Sequence, residues 1–481
     1  MLVAAAALEE KLFKEGAINS EELFRLLFSP DALTRLFLEK FARSTGKGTD
    51  RLNGFQFALR AGGELEDASA RCYSGAYRFA PYLEVLKTKG RSSKPRLIGI
   101  PTIRDRVILS QLGRYLAAVY PERVPRNVAS SYVRAIAEDL LTKDKRTTWT
   151  CSTDIKTFYD SVLRVRLLTV LKKRVKSASA LKLIEHALRT PTVPKNARRS
   201  RHAEFRTQNG VPQGLAISNI LASIYMQDVD EDMAKLPIVY YRYVDDVLMY
   251  GERDAIHEAF DSLRGRLRRR GLSLHRLGSS KTQIKELEQP FGYLGYEFVG
   301  DLVTVRESTV EKLLHSIASK FSEFVHNRGR RLERFKYLNE ARLAQIFMLE
   351  LNERITGAIS GNRRYGWIAY FSQINDLSLL HRLDHSIETL FKRLPEFERK
   401  APPDLKKLRR AYWEMKFNPN GGYVRDYDKI ILREDKLKYL VERGRMDPDQ
   451  TLTDAQIDEK YEKYVRHVLA SMHSDEGAAY G

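Results

Sequence analysis

Two adjacent carboxylates, Asp245 and Asp246, stand between the apolar segments 238–241 and 247–250 in the run Tyr243-Val244-Asp245-Asp246. Short apolar runs rich in Val, Ile and Tyr have the length and composition of strands. The acids therefore fall at the tip of a hairpin. Two like charges cannot be buried there unpaired, because desolvation and mutual repulsion both oppose ionisation. A strand–Asp-Asp–strand element is thus either an ordinary acidic turn facing water or a holder of cations, and the rest of the chain has to decide between them.

Charge narrows the partners. Lys and Arg total 82 against 62 Asp and Glu, a net +20 over 481 residues. That excess points to a polyanion, and residues 163–206 concentrate it, with 13 basic against 2 acidic side chains. Two cysteines, Cys72 and Cys151, exclude a disulfide scaffold and a cysteine-rich zinc site. No apolar run reaches the ~18 residues of a membrane span. The apolar start of the chain meets Glu9 and Glu10 without a basic flank, a poor secretion signal. The expectation is a cytoplasmic protein without membrane contact. No internal repeat is evident.

Helical patterns occupy 1–45, with Asn19 and Glu22 spaced as a capping box. A basic loop at 87–94 leads into a short strand at 96–100 closed by Pro101, then a helix over 105–120. Residues 149–155 read as a buried strand followed by a helix. A small-residue helix is expected over 215–226 and a basic helix over 258–270, ended at Gly271. Alternating aromatics and glycines at 291–298 indicate a tight hairpin. From 308 the pattern turns helical. Ser308 and Glu311 have capping-box spacing, and apolar stripes follow at Val310, Leu313, Leu314, Ile317, Phe321 and Phe324 and at Leu380, Leu383, Ile387, Leu390 and Leu394. Residues 398–410 read as a linker, and Thr453 with Gln456 as the cap of a last helix.

The acidic pair does not stand alone. Asp154 ends the strand in Cys151-Ser152-Thr153-Asp154-Ile155-Lys156-Thr157-Phe158-Tyr159-Asp160. Asn209-Gly210-Val211-Pro212-Gln213-Gly214 follows, and after the acids come Gly271-Leu272, Lys281-Thr282 and Phe291-Gly292-Tyr293-Leu294-Gly295-Tyr296. In order and spacing these blocks resemble motifs A to E of a reverse transcriptase palm. Upstream, Lys94-Pro95-Arg96-Leu97-Ile98-Gly99-Ile100-Pro101 is similar to the fingers of group II intron-like reverse transcriptases. The resemblance covers 44–298. Arg363-Arg364-Tyr365-Gly366-Trp367 and Ile374-Asn375-Asp376-Leu377-Ser378-Leu379 more loosely resemble thumb segments of bacterial defence-associated and abortive-infection reverse transcriptases.

The resemblance implies an α+β right-hand polymerase. An N-terminal helical extension would occupy 1–75; fingers and a ferredoxin-like palm, 76–300, with motif A at 151–161, B at 209–226, C at 243–246, D at 271–282 and E at 291–298; a helical thumb, 301–397; and a short, mostly helical extension, 398–481. It implies an RNA-directed DNA polymerase with two Mg²⁺ ions, Mn²⁺ being a substitute. Asp154, Ile155, Asp245 and Asp246 form the metal set. Lys281 is the motif D lysine that protonates pyrophosphate. Lys94, Arg96, Tyr159, Gln213 and Gly214 bind the nucleotide, Tyr159 as the gate against a ribose 2′-hydroxyl. Phosphoryl transfer asks for this kind of site, because it needs alignment and charge neutralisation more than covalent chemistry.

Lys195, Arg198, Arg199, Arg201, Arg330 and Arg331 are the nucleic-acid-binding candidates, and Tyr480 in the small-residue tail is a candidate protein primer. Expected partners are an RNA template, which a dedicated non-coding RNA in antiviral defence would supply, dNTPs and the cDNA product; a homo-oligomer is left open. Two other readings stand beside this one: an intron or retroelement enzyme, and a catalytically silent RNA-binding scaffold. Val244 in the acidic motif and the lack of cysteines for a nuclease zinc site weigh against the first. The intact Asp154, Asp245 and Asp246 weigh against the second.

Overall fold

The computed structural model describes residues 13–16, 18–87, 95–125 and 127–475. These divide into two compact units, one of residues up to 125 with 147–285, the other of 127–146 with residues from 286 onward.

The first unit begins with helices whose ends follow from their caps. Asn19 accepts from the Glu21 and Glu22 amides, while the Glu22 carboxylate accepts from the Asn19 amide, closing the expected box at the head of Ser20–Leu27. Ser29 caps Pro30–Lys40, where Pro30 occupies the first turn at no cost in hydrogen bonds. Gly54–Ala58 and Ala61–Tyr73 follow, and Thr102 caps Ile103–Val119. Strands β1 (Tyr82–Lys87) and β2 (Arg96–Ile100) pair antiparallel, and the short β4 (Thr192–Val193) adds parallel to β1.

The second sheet carries the acids. Its strands are β3 (Thr148–Asp154), β5 (Val239–Tyr243), β6 (Asp246–Glu252) and β7 (Gln283–Glu286), in the order β5-β6-β3-β7. Helix Ser218–Met233 lies in sequence between β3 and β5, and helix Arg253–Arg269 between β6 and β7. This βαββαβ order with β3 and β6 at the centre is a ferredoxin-like sheet, the architecture expected above for the palm. Val247, Leu248, Met249 and Tyr250 of β6 and Cys151 of β3 are buried, and most of the apolar side chains of both sheets and the surrounding helices join one core.

The second unit opens on helix Ala129–Leu140 and a three-stranded meander, β8 (Phe291–Tyr293), β9 (Tyr296–Val299) and β10 (Leu302–Val305). The β8–β9 turn has positive φ at both Leu294 and Gly295, the geometry of a two-residue hairpin. Helices Glu307–Arg334, Glu340–Thr356 and Leu377–Leu390 follow, then Leu408–Phe417, Arg433–Glu442 and Asp454–Asp475. The three small strands β11 (Ala358–Ser360), β12 (Arg363–Tyr365) and β13 (Arg425–Asp426) form its second sheet.

Several local expectations need correction. Ser308 is not a cap: the helix starts at Glu307, behind Arg306, whose side chain makes no capping bond. Of the stripe read along that helix, Leu313, Ile317, Phe321 and Phe324 are buried, while Val310 and Leu314 are half-exposed, so the buried seam is narrower. The helix read at 258–270 begins at Arg253, and the one read at 215–226 runs Ser218–Met233. Residues 398–410 are not a loose connection. Asn352 donates to Asp404 O and accepts from the Lys406 amide, Leu405 is buried, and a helix begins at Leu408.

Space at two glycines gives a paired test of the first unit. A Cβ on Gly54 would lie 1.9 Å from Phe41 O, whereas one on Gly62, inside Ala61–Tyr73, would meet nothing. Gly54→Ala should cost about 1–3 kcal/mol through forced backbone movement. Gly62→Ala should add roughly 0.5–1 kcal/mol by lowering unfolded-state entropy. Urea unfolding of the two variants should show opposite signs.

Candidate active site

The palm strands bring the acids together through main-chain register. Asp154, the last residue of β3, is the ladder partner of Asp246, the first residue of β6. Asp245 lies in the two-residue turn between β5 and β6, and its carbonyl accepts from the Ile155 amide at 2.9 Å. Directly opposed residues in an antiparallel ladder have Cα atoms about 4.5–5.5 Å apart, so Asp154 and Asp246 are a like-charge pair that needs counter-charge.

Two cations, Lys281 and Arg96, supply it from two segments, with the His275 imidazole beside Lys281. Lys281 Nζ is 3.6 Å from Asp154 Oδ2, and His275 Nε2 is 3.4 Å from the same oxygen. Both come from 271–282, which is bound to the end of β3: Lys156 N donates to Ser273 O, and Thr153 and Thr282 hydroxyls lie 2.8 Å apart. Burial pushes the His275 pKa below the ordinary value; Asp154 pulls it up, and Lys156 and Lys281 add to the lowering. From β2, Arg96 Nη2 reaches 3.9 Å from Asp245 Oδ2.

Motifs A and B are tied to each other in the same way. The Val211 amide donates to Tyr159 O and the Gly210 amide to Val162 O, each at 2.8 Å. The Gly99 amide of β2 donates to Gln213 O at 2.9 Å. Gly214 has φ +95°, and a Cβ there would lie 2.6 Å from Ile98 Cγ2, so the close approach of β2 demands glycine. The Tyr159 hydroxyl donates to Asn219 Oδ1 at 2.5 Å. Burial first, and then the charge of Asp245, raise the Tyr159 pKa, while Arg96 and Arg242 oppose them. The phenol stays protonated and can serve as that donor.

Asp154, Ile155, Asp245, Asp246, Arg96, Tyr159, Gln213, Gly214 and Lys281 are thus linked through one set of strand ends and turns. Lys195, Arg198, Arg199 and Arg201 are exposed around β4 and the turn Arg199–Phe205, with Arg201 paired to Glu204 at 2.8 Å. Arg330 and Arg331 lie near the end of helix Glu307–Arg334 in the second unit, Arg330 exposed and Arg331 half-exposed. Lys94 and Tyr480 lie outside the described residues. Among the described residues, no three or more His, Cys, Asp or Glu side chains are grouped so that they could hold a metal ion. The donor chemistry of Asp154, Asp245 and Asp246 is nonetheless carboxylate oxygen, the type that hard divalent ions take, and Ile155 can add only its main-chain carbonyl.

Sequence reasoning missed the supports. Arg242 makes a two-pronged pair with Asp230, Nε–Oδ1 at 2.7 Å and Nη2–Oδ2 at 2.5 Å, and Nη1 donates to Val244 O at 2.9 Å. Tyr240 also donates to Asp230 Oδ1. The turn that carries Asp245 is therefore clamped to helix Ser218–Met233. A charge inside the apolar run 239–243 was the available signal, because it requires a partner. Arg164 was missed likewise. It donates to Gly210 O at 2.8 Å and to Thr207 Oγ1 at 2.7 Å, and it also bonds Thr207 O, holding the approach to Gln213.

The clamp should be measurable. A double-mutant cycle of Arg242→Met and Asp230→Asn by urea unfolding should give a coupling energy of about 1.5–3 kcal/mol, the range for charge-assisted bonds. A coupling near zero would mean that the pair does not brace the turn.

The reverse transcriptase (RNA-dependent DNA polymerase) family matches residues 85–298. The group II intron-encoded protein LtrA of Lactococcus lactis subsp. cremoris is 25% identical over 249 residues, which are 49% of this chain and 40% of that protein. Protein YkfC of Escherichia coli strain K12 is 22% identical over 333 residues, 59% of this chain and 84% of that one. The chain thus spans two fifths of the length of the intron-encoded relative. Among solved structures, telomerase from Candida albicans in complex with a fragment of telomeric RNA aligns with a TM-score of 0.42 and 12% identity, over 72% of this chain and 68% of that one. Residues 85–298 of this chain thus match the reverse transcriptase family, and its curated relatives include a bacterial group II intron-encoded protein.

Proposed function

We propose that the protein is an RNA-directed DNA polymerase that copies an RNA template into cDNA from dNTPs. The observation that carries this is the register pairing of Asp154 with Asp246, with Asp245 bonded through its carbonyl to Ile155, inside the segment that matches the family. In the reaction the primer 3′-oxygen bonds to the α-phosphorus, the bond from that phosphorus to the β-phosphate bridging oxygen breaks, and pyrophosphate leaves with the electron pair. The hydroxyl proton is lost. Lys281 is near enough to Asp154 to return a proton to the leaving group. Arg96, fixed on β2, offers positive charge to the triphosphate. Asp154, Asp245, Asp246 and the Ile155 carbonyl would hold two Mg²⁺ ions, or Mn²⁺ in their place. Such ions, when bound, neutralise charge on the phosphates and lower the pKa of the attacking hydroxyl.

Tyr159 would discriminate between sugars. Its phenol is held by Asn219, so the ring is a fixed wall beside motif B rather than a mobile side chain. The basic turn with Lys195, Arg198, Arg199 and Arg201, and the helix end with Arg330 and Arg331, would neutralise template or primer phosphates.

The thumb-like segments 363–367 and 374–379 support a finer reading as a defence-associated enzyme that copies a dedicated non-coding RNA. A second reading, an intron or retroelement enzyme, is favoured by the intron-encoded relative. Sequencing nucleic acid bound to the purified protein separates them: one recurrent non-coding RNA supports the first, flanking intron RNA the second.

Asp245→Asn removes a charge from a half-exposed turn and should abolish Mg²⁺-dependent dNTP incorporation on a primed RNA template while moving the melting temperature little. Undiminished synthesis by this variant would overturn the assignment.

Tyr159→Ala should raise incorporation of ATP relative to dATP. The loss of one packed wall costs a hydrophobic site roughly 1–3 kcal/mol of discrimination, or about 10–200-fold. An unchanged ratio in single-turnover kinetics would remove Tyr159 from the gate role.

A further inference from the structure

A cavity of about 800 Å³ in the first unit is lined by Arg78, Arg164, Arg189 and Arg206 together with His186 and His202, and no carboxylate side chain lines it. Phe79, Pro81 and Pro191 give it an apolar wall. None of the residues assigned above to the metal, the nucleotide or proton transfer lines it.

The cations are not neutralised within this wall. Arg164 spends its hydrogen bonds on Gly210 O, Thr207 O and Thr207 Oγ1, all uncharged oxygens. Burial lowers its pKa, and the Arg189 charge lowers it further. Arg78 Nη1 lies 3.2 Å from Tyr77 O and 2.9 Å from His186 Nδ1, again uncharged partners. Burial, followed by Arg78, keeps the His186 pKa below the ordinary imidazole value. Arg189 pairs with Glu185 at 2.7 Å, but its side chain is 70% exposed, so the pair is solvent-screened and weak. Arg206 is exposed and makes no ion pair among the described residues. Arg164 is buried, while Arg78, Arg189 and Arg206 are exposed at the rim; like charges that the fold holds close together repel, and a multiply charged anion is the ligand that relieves this.

The four guanidiniums come from different places: the approach to β1, the start of Arg164–Lys172, the end of Ala178–Arg189, and the residue after the turn Arg199–Phe205. Guanidiniums set around a cavity of nucleotide size suit several phosphate oxygens rather than one point charge.

We propose that this cavity is a second anion site, separate from the catalytic carboxylates, which binds linked phosphates. Those phosphates belong either to a free nucleoside polyphosphate or to a single-stranded nucleic acid. Arg164 joins the cavity to the segment 207–214, because the Gly210 carbonyl it binds belongs to the residue whose amide bonds Val162 and whose neighbour Val211 bonds Tyr159.

The test uses the full-length Asp245→Asn protein in EDTA, so that metal-dependent binding at the catalytic acids contributes nothing. Fluorescently labelled ATP should bind saturably and be displaced by tripolyphosphate. Combining Arg189→Glu with Arg206→Glu, both exposed positions, should weaken binding by about tenfold or more at an unchanged melting temperature. Displacement by short single-stranded oligothymidylate at lower concentration than by tripolyphosphate assigns the site to a strand; the reverse order assigns it to free nucleotide. No binding of any of the three probes, or equal affinity in the charge-reversed protein, overturns the proposal. Neither result bears on polymerase activity, which is measured separately with Mg²⁺ and the native Asp245.

Discussion

The pairing of β3 with β6 is the constraint on which the acidic end of this sheet depends, and it works against electrostatics. It sets Asp154 opposite Asp246. Two like charges held on directly opposed residues repel by a few kcal/mol at an effective dielectric near 20, roughly 3 kcal/mol at a separation of about 5 Å. The same ladder buries Val247, Leu248, Met249 and Tyr250, and each such side chain contributes about 1.5–3 kcal/mol. Packing therefore wins, and the acids are carried into proximity by their apolar neighbours. Arg96 and Lys281 then crowd around them because a negative strand end attracts the positive groups of adjacent segments, and the His275 imidazole lies beside Lys281. An anionic site built by a hydrophobic ladder suits cation binding, since the fold and not the ligand bears the cost of bringing the charges together.

How much of this was legible follows from what each residue has to do. Asp154, Asp245 and Asp246 could be singled out because carboxylates at the ends of apolar strands need either water or cations, and the resemblance of the surrounding blocks to a reverse transcriptase palm pointed to cations; the register places Asp154 opposite Asp246. Gly214 could be read because only glycine admits the approach of Ile98. Arg242 and Asp230 could not be paired from sequence: they lie on a strand and a helix, and nothing local fixes which face of the helix meets the strand. His275 was hidden for a similar reason, since its position depends on how 271–282 crosses the end of β3. Ser308 was misread because capping-box spacing recurs inside helices, where the serine side chain has no exposed amide to receive.

The basic run 163–206 shows why charge density in sequence is a poor map of a binding face. Arg164 is buried as a brace, and Arg166 bonds Arg269 O. Arg174 pairs with Glu122 and stacks on Tyr120. Lys172, Lys173, Lys176 and Lys182 are exposed on the helices and their connection, Lys195 to Arg201 form an exposed turn, and Arg164, Arg189 and Arg206 face a cavity. One stretch of sequence therefore supplies three physical roles: a brace for 207–210, an outward basic surface, and part of a positive recess.

Two of the strained backbone positions sit beside the acids. Thr157, just after Asp154 and Ile155, has φ +42°, and Val244, just before Asp245, has φ +57°. Both are β-branched, and left-handed backbone is disfavoured for such residues, with a cost of order 1–3 kcal/mol each. A strained conformation persists only where its surroundings hold it. At Val244 the Arg242 guanidinium binds the carbonyl, and one residue on the Ile155 amide binds Asp245 O. At Thr157 the Lys156 amide is fixed to Ser273 O and the Ser161 amide closes the helical turn onto Thr157 O. The two strained residues thus flank the acids on both strands, each held by bonds from a different element. A turn held from several sides cannot relax one carboxylate without disturbing the other, which is the property a site needs if it is to present fixed negative charge to incoming cations.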